Sequence, residues 1–133
     1  MKKQVYSKKI ISVAGIAHGL GTTHVALVLA NYMCSKLGMK TAYIELNTSN
    51  HISSILARKE KPPFSYKGIV FYPNTSVTSL SELLHKDYAC FILDMGVLTT
   101  QSVAEFLRFD KPFLVCSPGK WRRSQSIEQL EIL

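Results

Sequence analysis

The stretch Gly15-Ile-Ala-His-Gly-Leu-Gly-Thr-Thr-His24 is the strongest indication of the fold in this sequence. It follows the apolar, β-branched run 10–14, which predicts a buried strand, and precedes a helical pattern over 22–37 that Gly38 ends. Glycines in such a loop let the backbone take positive φ angles and bring N–H groups close to an oxyanion. The helix N-terminus adds free N–H groups and a positive dipole end. The sequence therefore predicts a phosphate-binding loop, and the competing interpretation is a tight strand-to-helix turn.

The loop departs from the strict Walker A motif, G-x-x-x-x-G-K-[ST]. Aligned on Gly21, the lysine position is Thr22, the Mg²⁺-binding hydroxyl is Thr23, and Ile16 stands in place of the first glycine. The sequence still predicts a phosphate-binding loop, which we call the cradle. The residues expected to form it are Gly15, His18, Gly19, Leu20, Gly21, Thr22 and Thr23.

Alternating strands and helices continue beyond the loop. Asn50 is a candidate N-cap, and Ser79 with Glu82 has the spacing of a capping box. Further strands are predicted at 41–46, 68–72, 89–93 and 112–116, and further helices at 51–59, 79–85, 99–109 and after 118–119. Solidly apolar strands that alternate with helices indicate a parallel sheet covered on both faces. The predicted fold class is α/β, doubly wound, a mostly parallel sheet of about five strands, and resembles a shortened P-loop NTPase.

An aspartate follows the fourth apolar run. Asp94 is placed at the C-terminal end of a buried strand, where open α/β sheets bind ligands. A Walker B aspartate occupies that place and orients the Mg²⁺ shell, whereas the alternative is an aspartate that caps an ordinary turn. We expect Thr23 and Asp94 to hold Mg²⁺ when a nucleotide binds.

Three short segments resemble the ParA/MinD family of deviant-Walker ATPases. The family's K-G-G-x-G-K-[ST] is similar to 17–23, its A-x-x-L-A helix to 26–31, and its D-x-D strand to 42–47, while Asp94 matches its Walker B aspartate. The resemblance covers roughly residues 10–117. It implies ATP or ADP with Mg²⁺ as ligand and no covalent cofactor. It also implies a protein partner or a homodimer, a bacterial source, and a cytoplasmic location or a peripheral one at the inner membrane.

The departures from the family fall where the chemistry takes place. The family's signature lysine corresponds to Ala17, its P-loop lysine to Thr22, and the second carboxylate of D-x-D to Asn47. Each lost charged contact to a phosphate is worth about 1.5–3 kcal/mol. An amide at position 47 holds a water but takes up no proton. No catalytic residue is therefore assigned, and Asn47 marks the place of the family's catalytic aspartate.

Replacement cations have two candidate sources. His18 and His24 flank the glycines, and an imidazole carries charge only when it is protonated. Lys120, Arg122 and Arg123 follow the fifth predicted strand and are expected on the loop side of the sheet. The alternative for the second group is an ordinary solvated surface.

Three function classes follow from these residues. The first is a pseudo-ATPase localisation or assembly module, similar to the CpaE/TadZ-like proteins that position pilus or secretion machinery. The second is a genuine, slowly hydrolysing ATPase that drives partitioning or positioning. The third is a binder of DNA or of an anionic membrane surface, suggested by a net charge of +7 and basic clusters near 2–9, 58–61 and 120–123. Salt-dependent binding distinguishes the third.

Length and composition limit the alternatives. The chain has 133 residues, of which 47% are hydrophobic and 19% charged, which suits one domain over 1–133. No apolar run reaches the roughly 18 residues of a membrane span, and three widely spaced cysteines favour a reducing compartment. The final residues stop inside an apolar helical pattern, which predicts a C-terminally truncated chain or an unusually short member of the family.

Overall fold

A computed structural model describes residues 8–19, 21–47, 51–58 and 61–116. The strands are β1 (Lys9–Gly15), β2 (Thr41–Glu45), β3 (Phe64–Tyr66), β4 (Ile69–Tyr72), β5 (Cys90–Val97) and β6 (Lys111–Val115). The helices are α1 (Thr22–Asn31), continued by a π-helical turn (Tyr32–Lys36), then α2 (His51–Ile55), α3 (Val77–Leu84) and α4 (Val103–Arg108). The strands form one sheet in the order β3-β4-β2-β5-β1-β6, in which only the β3–β4 pair is antiparallel.

Side chains of the central strands feed two apolar layers, one on each face of the sheet. On one face Val13 and Ile92 pack with Ala26, Ala30 and Met33 of the first helix and its π-helical turn. The other face carries a second cluster that contains Ala14, Phe91 and Leu93 of the sheet together with Leu80 of α3 and Phe106 of α4. Strands buried on both faces explain why β1 and β5 read as continuous apolar runs.

The predicted α/β architecture is confirmed, and the strand count is corrected from about five to six. The missed strand, β3, has three residues and is joined to β4 by the turn residues Lys67 and Gly68, both of which have positive φ. A three-residue strand next to prolines carries no period-2 signal, so the sequence pattern did not reveal it. Phe64 nevertheless anchors it, stacking on Phe71 of β4 with ring centroids 5.4 Å apart.

Three predicted helix boundaries are wrong. The third helix begins at Val77 instead of Ser79, and its N-cap is Ser76, whose hydroxyl contacts those of Thr78 and Ser79. The expected capping box is therefore not formed. The second helix ends at Ile55 rather than at 59, and the fourth begins at Val103 rather than at 99. In the fourth case the preceding residues form a turn in which the Thr99 N–H and hydroxyl both donate to Ser102 Oγ.

Several predicted features lie outside the described residues. These are Leu20 of the loop, the Asn50 cap, the N-terminal lysines of the first basic cluster, and the C-terminal segment with Lys120, Arg122 and Arg123. Within the described part of the chain, no helix is long and apolar enough to cross a membrane.

Candidate functional site

The glycine loop lies where β1 ends and α1 begins, at the C-terminal edge of the parallel sheet. Gly19 and Gly21 have φ of +76° and +79°, a region that L-residues with side chains rarely adopt. Gly21 is the N-cap of α1, and its carbonyl accepts the first helical hydrogen bond from Val25 N at 3.0 Å. The backbone thus turns sharply from strand to helix, and the free N–H groups of the first helical turn face the loop.

The residue at the lysine position is turned back onto the loop. A Cβ built on Gly15 would overlap Thr22 Oγ1, so the Thr22 hydroxyl occupies space that only a glycine at position 15 leaves open. Gly15 is itself held by its carbonyl, which accepts a hydrogen bond from Leu98 N at 2.8 Å. The structure therefore gives both Gly15 and Thr22 a packing role inside the cradle.

Asp94 is the centre of a buried polar cluster. Its Oδ2 accepts hydrogen bonds from Thr23 Oγ1 at 2.8 Å and from Tyr43 Oη at 2.6 Å, and its Oδ1 accepts one from Gly96 N at 3.1 Å. The carboxylate has no exposed surface. The structure thus brings together the two residues predicted to hold Mg²⁺, Thr23 and Asp94, although they are 71 positions apart.

Tyr43 is a member of this cluster that the sequence did not reveal. It lies in the middle of β2, fully buried, with its ring 5.3 Å from that of Phe71. Burial raises the pKa of Tyr43 well above its usual range, and the negative charge of Asp94 raises it further. The phenol therefore remains a hydrogen-bond donor to Asp94. A tyrosine inside an apolar strand is typical of core packing, so only the tertiary contact identifies its polar role.

The strand that resembles D-x-D places its two polar residues differently. Glu45 is fully buried, and its carboxylate accepts hydrogen bonds from Ile52 N at 3.1 Å and Asn74 N at 3.0 Å. Asn47 is half-buried and its Nδ2 donates to the Asp94 carbonyl at 3.1 Å. Glu45 therefore fixes the start of α2 and the loop after β4, while the Asn47 side chain is attached to β5 beside the cluster.

A cleft of about 800 Å³ opens in front of the loop. The glycine loop, the start of α1, Asn47, α2 and the end of β5 line it. Among the described residues that line it none is Lys, Arg, Asp or Glu, and three are histidines, His18, His24 and His51. The first two were singled out from the sequence, whereas His51 reaches the cleft because α2 packs beside the loop. The described walls of the cleft therefore carry main-chain donors, hydroxyls and imidazoles in place of lysines.

The two residues expected to hold Mg²⁺ differ in their access to the cleft. Thr23 retains 8% exposure and lines the cleft. Asp94 has none and is not part of the lining, whereas Thr23 and Gly96, which both donate hydrogen bonds to its carboxylate, line the cleft. Within the part of the chain that the structure describes, no group of three or more His, Cys, Asp or Glu side chains is placed to hold a metal ion.

Comparison of sequences finds no relative. No profile of a known protein family matches the chain, and no curated protein sequence matches it significantly. Assignment of the fold therefore depends on comparison of structures.

Solved structures share the fold at low sequence identity. A plasmid partition protein from Borrelia burgdorferi, bound to AMPPNP, matches with a TM-score of 0.69 and 16% identity, over 95% of this chain and 68% of its own. Apo McdA from Cyanothece matches with a TM-score of 0.71 and 16% identity, over 95% of this chain and 65% of its own. The ATP complex of a McdA variant from Cyanothece matches with a TM-score of 0.73 and 15% identity, over 96% of this chain and 64% of its own. This chain thus spans about two-thirds of the length of these proteins.

The chain has the fold of the ParA/MinD-type P-loop ATPases, as the loop and strand motifs predicted. At 15–17% identity the likeness establishes the fold alone. What the site does has to be argued from its own residues.

Proposed function

We propose that this chain is a degenerate ParA/MinD-like P-loop domain, a pseudo-ATPase that responds to ATP or ADP and serves localisation or assembly. The main support is the composition of the cleft. The glycine loop and the start of α1 line it, and none of the described lining residues is Lys or Arg. Gly19, Gly21 and the α1 N-terminus supply main-chain N–H donors, and Thr22, in the lysine position, packs its hydroxyl against Gly15. Neutral donors bind a phosphate more weakly than charged ones, so the affinity is expected to be low.

Slow hydrolysis by a genuine ATPase is the second candidate. One observation favours it, namely the nucleotides bound to two of the similar structures. Against it stands Asn47, whose amide is attached to the Asp94 carbonyl and accepts no proton from an attacking water. Loss of this general base leaves the pseudo-ATPase as the better supported function.

The proposed module acts through a protein partner or a second copy of the chain, as a single domain over 1–133. A DNA or membrane role through the basic clusters has weaker support from the described residues. Lys8 Nζ donates to the Leu84 and Lys86 carbonyls, and the Arg58 guanidinium lies 4.8 Å from the centroid of the Tyr66 ring. Both cations therefore have structural contacts. Retention on DNA or anionic vesicles that falls steeply with salt would instead support the third function class.

The primary test is calorimetric titration of the folded protein with ATP and ADP. Binding is expected, and Gly21→Val should abolish it, because a β-branched residue is strained at a φ of +79° and the loop would be rearranged. Gly38→Val is the matched control, since Gly38 also has positive φ, +64°, but lies after the π-helical turn, away from the cleft. Absence of heat at millimolar nucleotide from folded wild-type protein would refute the proposal.

Restoring the lysine gives a sharper test. Thr22→Lys should tighten ATP binding by about 10–100-fold, because one charged contact to phosphate contributes roughly 1.5–3 kcal/mol. Ser54→Lys, which adds the same charge to the α2 wall of the cleft, is the control for a general electrostatic effect. Equal gains in the two variants would show that the lysine position of the loop has no special relation to the phosphates.

Hydrolysis separates the two candidate functions. The wild-type protein and the Thr22→Lys variant should both show no phosphate release above background. Release should appear only when Asn47→Asp is added to Thr22→Lys, because that change supplies the missing carboxylate. Turnover by the wild-type protein, abolished by Gly21→Val, would favour the genuine ATPase.

A further inference from the structure

We propose that the cleft binds its phosphate ligand without Mg²⁺, and that Tyr43 is the positioning residue which withholds Asp94 from a metal. This inference rests on the proposed function, in that it assumes a nucleotide in the cleft. It adds the class of ligand, a metal-free nucleotide, and a residue for which neither the family resemblance nor the sequence pattern gives a role.

The lone pairs of the Asp94 carboxylate are largely used inside the protein. A carboxylate has about four acceptor positions, two on each oxygen. On Oδ2 both are occupied, one by the Thr23 hydroxyl at 2.8 Å and one by the Tyr43 phenol at 2.6 Å. On Oδ1 one is occupied by Gly96 N at 3.1 Å. A metal or its bound water would have to compete with three donors that are already in place.

The carboxylate is also separated from the cleft. Asp94 has no exposed surface, and the two residues that lie between it and the cleft, Thr23 and Gly96, both donate to it. Tyr43, the third donor, is fully buried in the sheet, with its ring 5.3 Å from that of Phe71. A donor held this firmly keeps the carboxylate oriented inward.

The described walls favour a ligand of modest charge. Main-chain N–H groups, hydroxyls and imidazoles offer hydrogen bonds without the fixed cations or the bound metal that a triphosphate with about four charges requires. A metal-free nucleoside diphosphate meets this condition better than a metal-free triphosphate does. We therefore expect ADP to bind at least as tightly as ATP, in contrast to a site built around Mg²⁺ and two lysines.

The experiment measures the dissociation constants of ADP and ATP in Mg²⁺ and again in EDTA. For the wild-type protein the two constants for ADP should agree within about threefold. Tyr43→Phe frees one acceptor position on Asp94 and should tighten ADP binding in Mg²⁺ by about tenfold or more relative to EDTA. Tyr72→Phe is the matched control, because its phenol forms a hydrogen bond with the Tyr88 hydroxyl at 2.8 Å, outside the cleft. It should leave the Mg²⁺ ratio unchanged.

Each outcome decides the inference. A wild-type protein whose ADP binding requires Mg²⁺ overturns metal independence while leaving the proposed nucleotide-binding function intact. A Tyr43→Phe variant that folds, as judged by its melting transition, and keeps the wild-type ratio overturns the role of Tyr43. Absence of binding to wild-type protein in both buffers overturns the proposed function and this inference with it. A merely structural role for Tyr43 would change the melting temperature without changing the Mg²⁺ ratio.

Discussion

Two buried carboxylates on neighbouring strands have different surroundings. Glu45 of β2 and Asp94 of β5 are partners in the parallel register, and both side chains have no exposed surface. Glu45 accepts two main-chain N–H groups, those of Ile52 and Asn74. Asp94 accepts two side-chain hydroxyls, those of Thr23 and Tyr43, and a single main-chain N–H.

The difference separates a backbone anchor from a cluster of side-chain hydrogen bonds. Main-chain donors are present for any residue except proline at positions 52 and 74, so the Glu45 hydrogen bonds tolerate changes of those side chains and fix the backbone at both positions. The hydroxyl donors exist only while Thr23 and Tyr43 keep their identity. Single side-chain substitutions therefore change the hydrogen bonds of the Asp94 cluster, whereas the hydrogen bonds of Glu45 depend on the backbone.

The largest expected effect is loss of the Glu45 anchor. Glu45→Ala leaves two N–H groups without their acceptor, at about 1–3 kcal/mol each for a buried donor, so the free energy of unfolding should fall by about 2–6 kcal/mol. Urea denaturation measures it. Glu82→Ala, at an exposed position of α3, is the control and should change the value by less than about 0.5 kcal/mol. A Glu45→Ala loss as small as that of the control would contradict the anchor.

The second effect is the loss of the Tyr43–Asp94 hydrogen bond, whose contribution to the free energy of unfolding depends on pH. Tyr43→Phe removes a hydrogen bond to a charged acceptor and should cost about 1.5–3 kcal/mol at neutral pH. The pKa of Tyr43 is raised in the folded state, so above about pH 10 the unfolded chain loses the phenolic proton first and native stability falls as pH rises. The Tyr43→Phe variant has no phenolic proton at this position, so it does not undergo this loss of stability. Its stability should therefore approach that of the wild type between about pH 10 and 12.

Unfolding curves at a series of alkaline pH values check this prediction. A constant difference between the Tyr43→Phe variant and the wild-type protein from neutral pH to pH ~12 would show that the Tyr43 pKa is not raised on folding.

The smallest effect concerns two buried hydroxyls, of which one has a hydrogen-bond partner and the other has none among the described residues. Ser12 Oγ, in β1, has no hydrogen-bond partner among the described residues, whereas Thr41 Oγ1 donates to the Met39 carbonyl at 2.9 Å. Ser12→Ala removes an unpaired polar atom and should raise the free energy of unfolding by about 1 kcal/mol, while Thr41→Val should lower it by about as much. Thermal or urea unfolding of the two variants measures both changes. Changes of the same sign would contradict the difference in hydrogen bonding between Ser12 and Thr41.

The strongest sequence signals were local ones. The glycines at 19 and 21 require positive φ, and the apolar runs of β1 and β5 require burial on both faces, so loop and sheet class were predictable. The pairing of Thr23 with Asp94 was also predictable in outline, because parallel strands bring their carboxyl ends to one edge. The short strand β3 and the start of α3 were not, since a three-residue element and adjacent Ser and Thr residues leave no distinctive periodicity.

The sequence alone was enough to predict the α/β alternation, the position of the glycine loop and the lack of lysine at positions 17 and 22, because these are properties of consecutive residues. The strand order could be seen only in the three-dimensional structure. The same is true of the presence of His51 in the cleft and of the hydrogen bonds of Glu45 and Tyr43. The physical reason is that a side chain's partner is set by packing between segments distant in the chain. Tyr43 and Asp94 are 51 positions apart and meet because β2 and β5 are neighbours in the sheet.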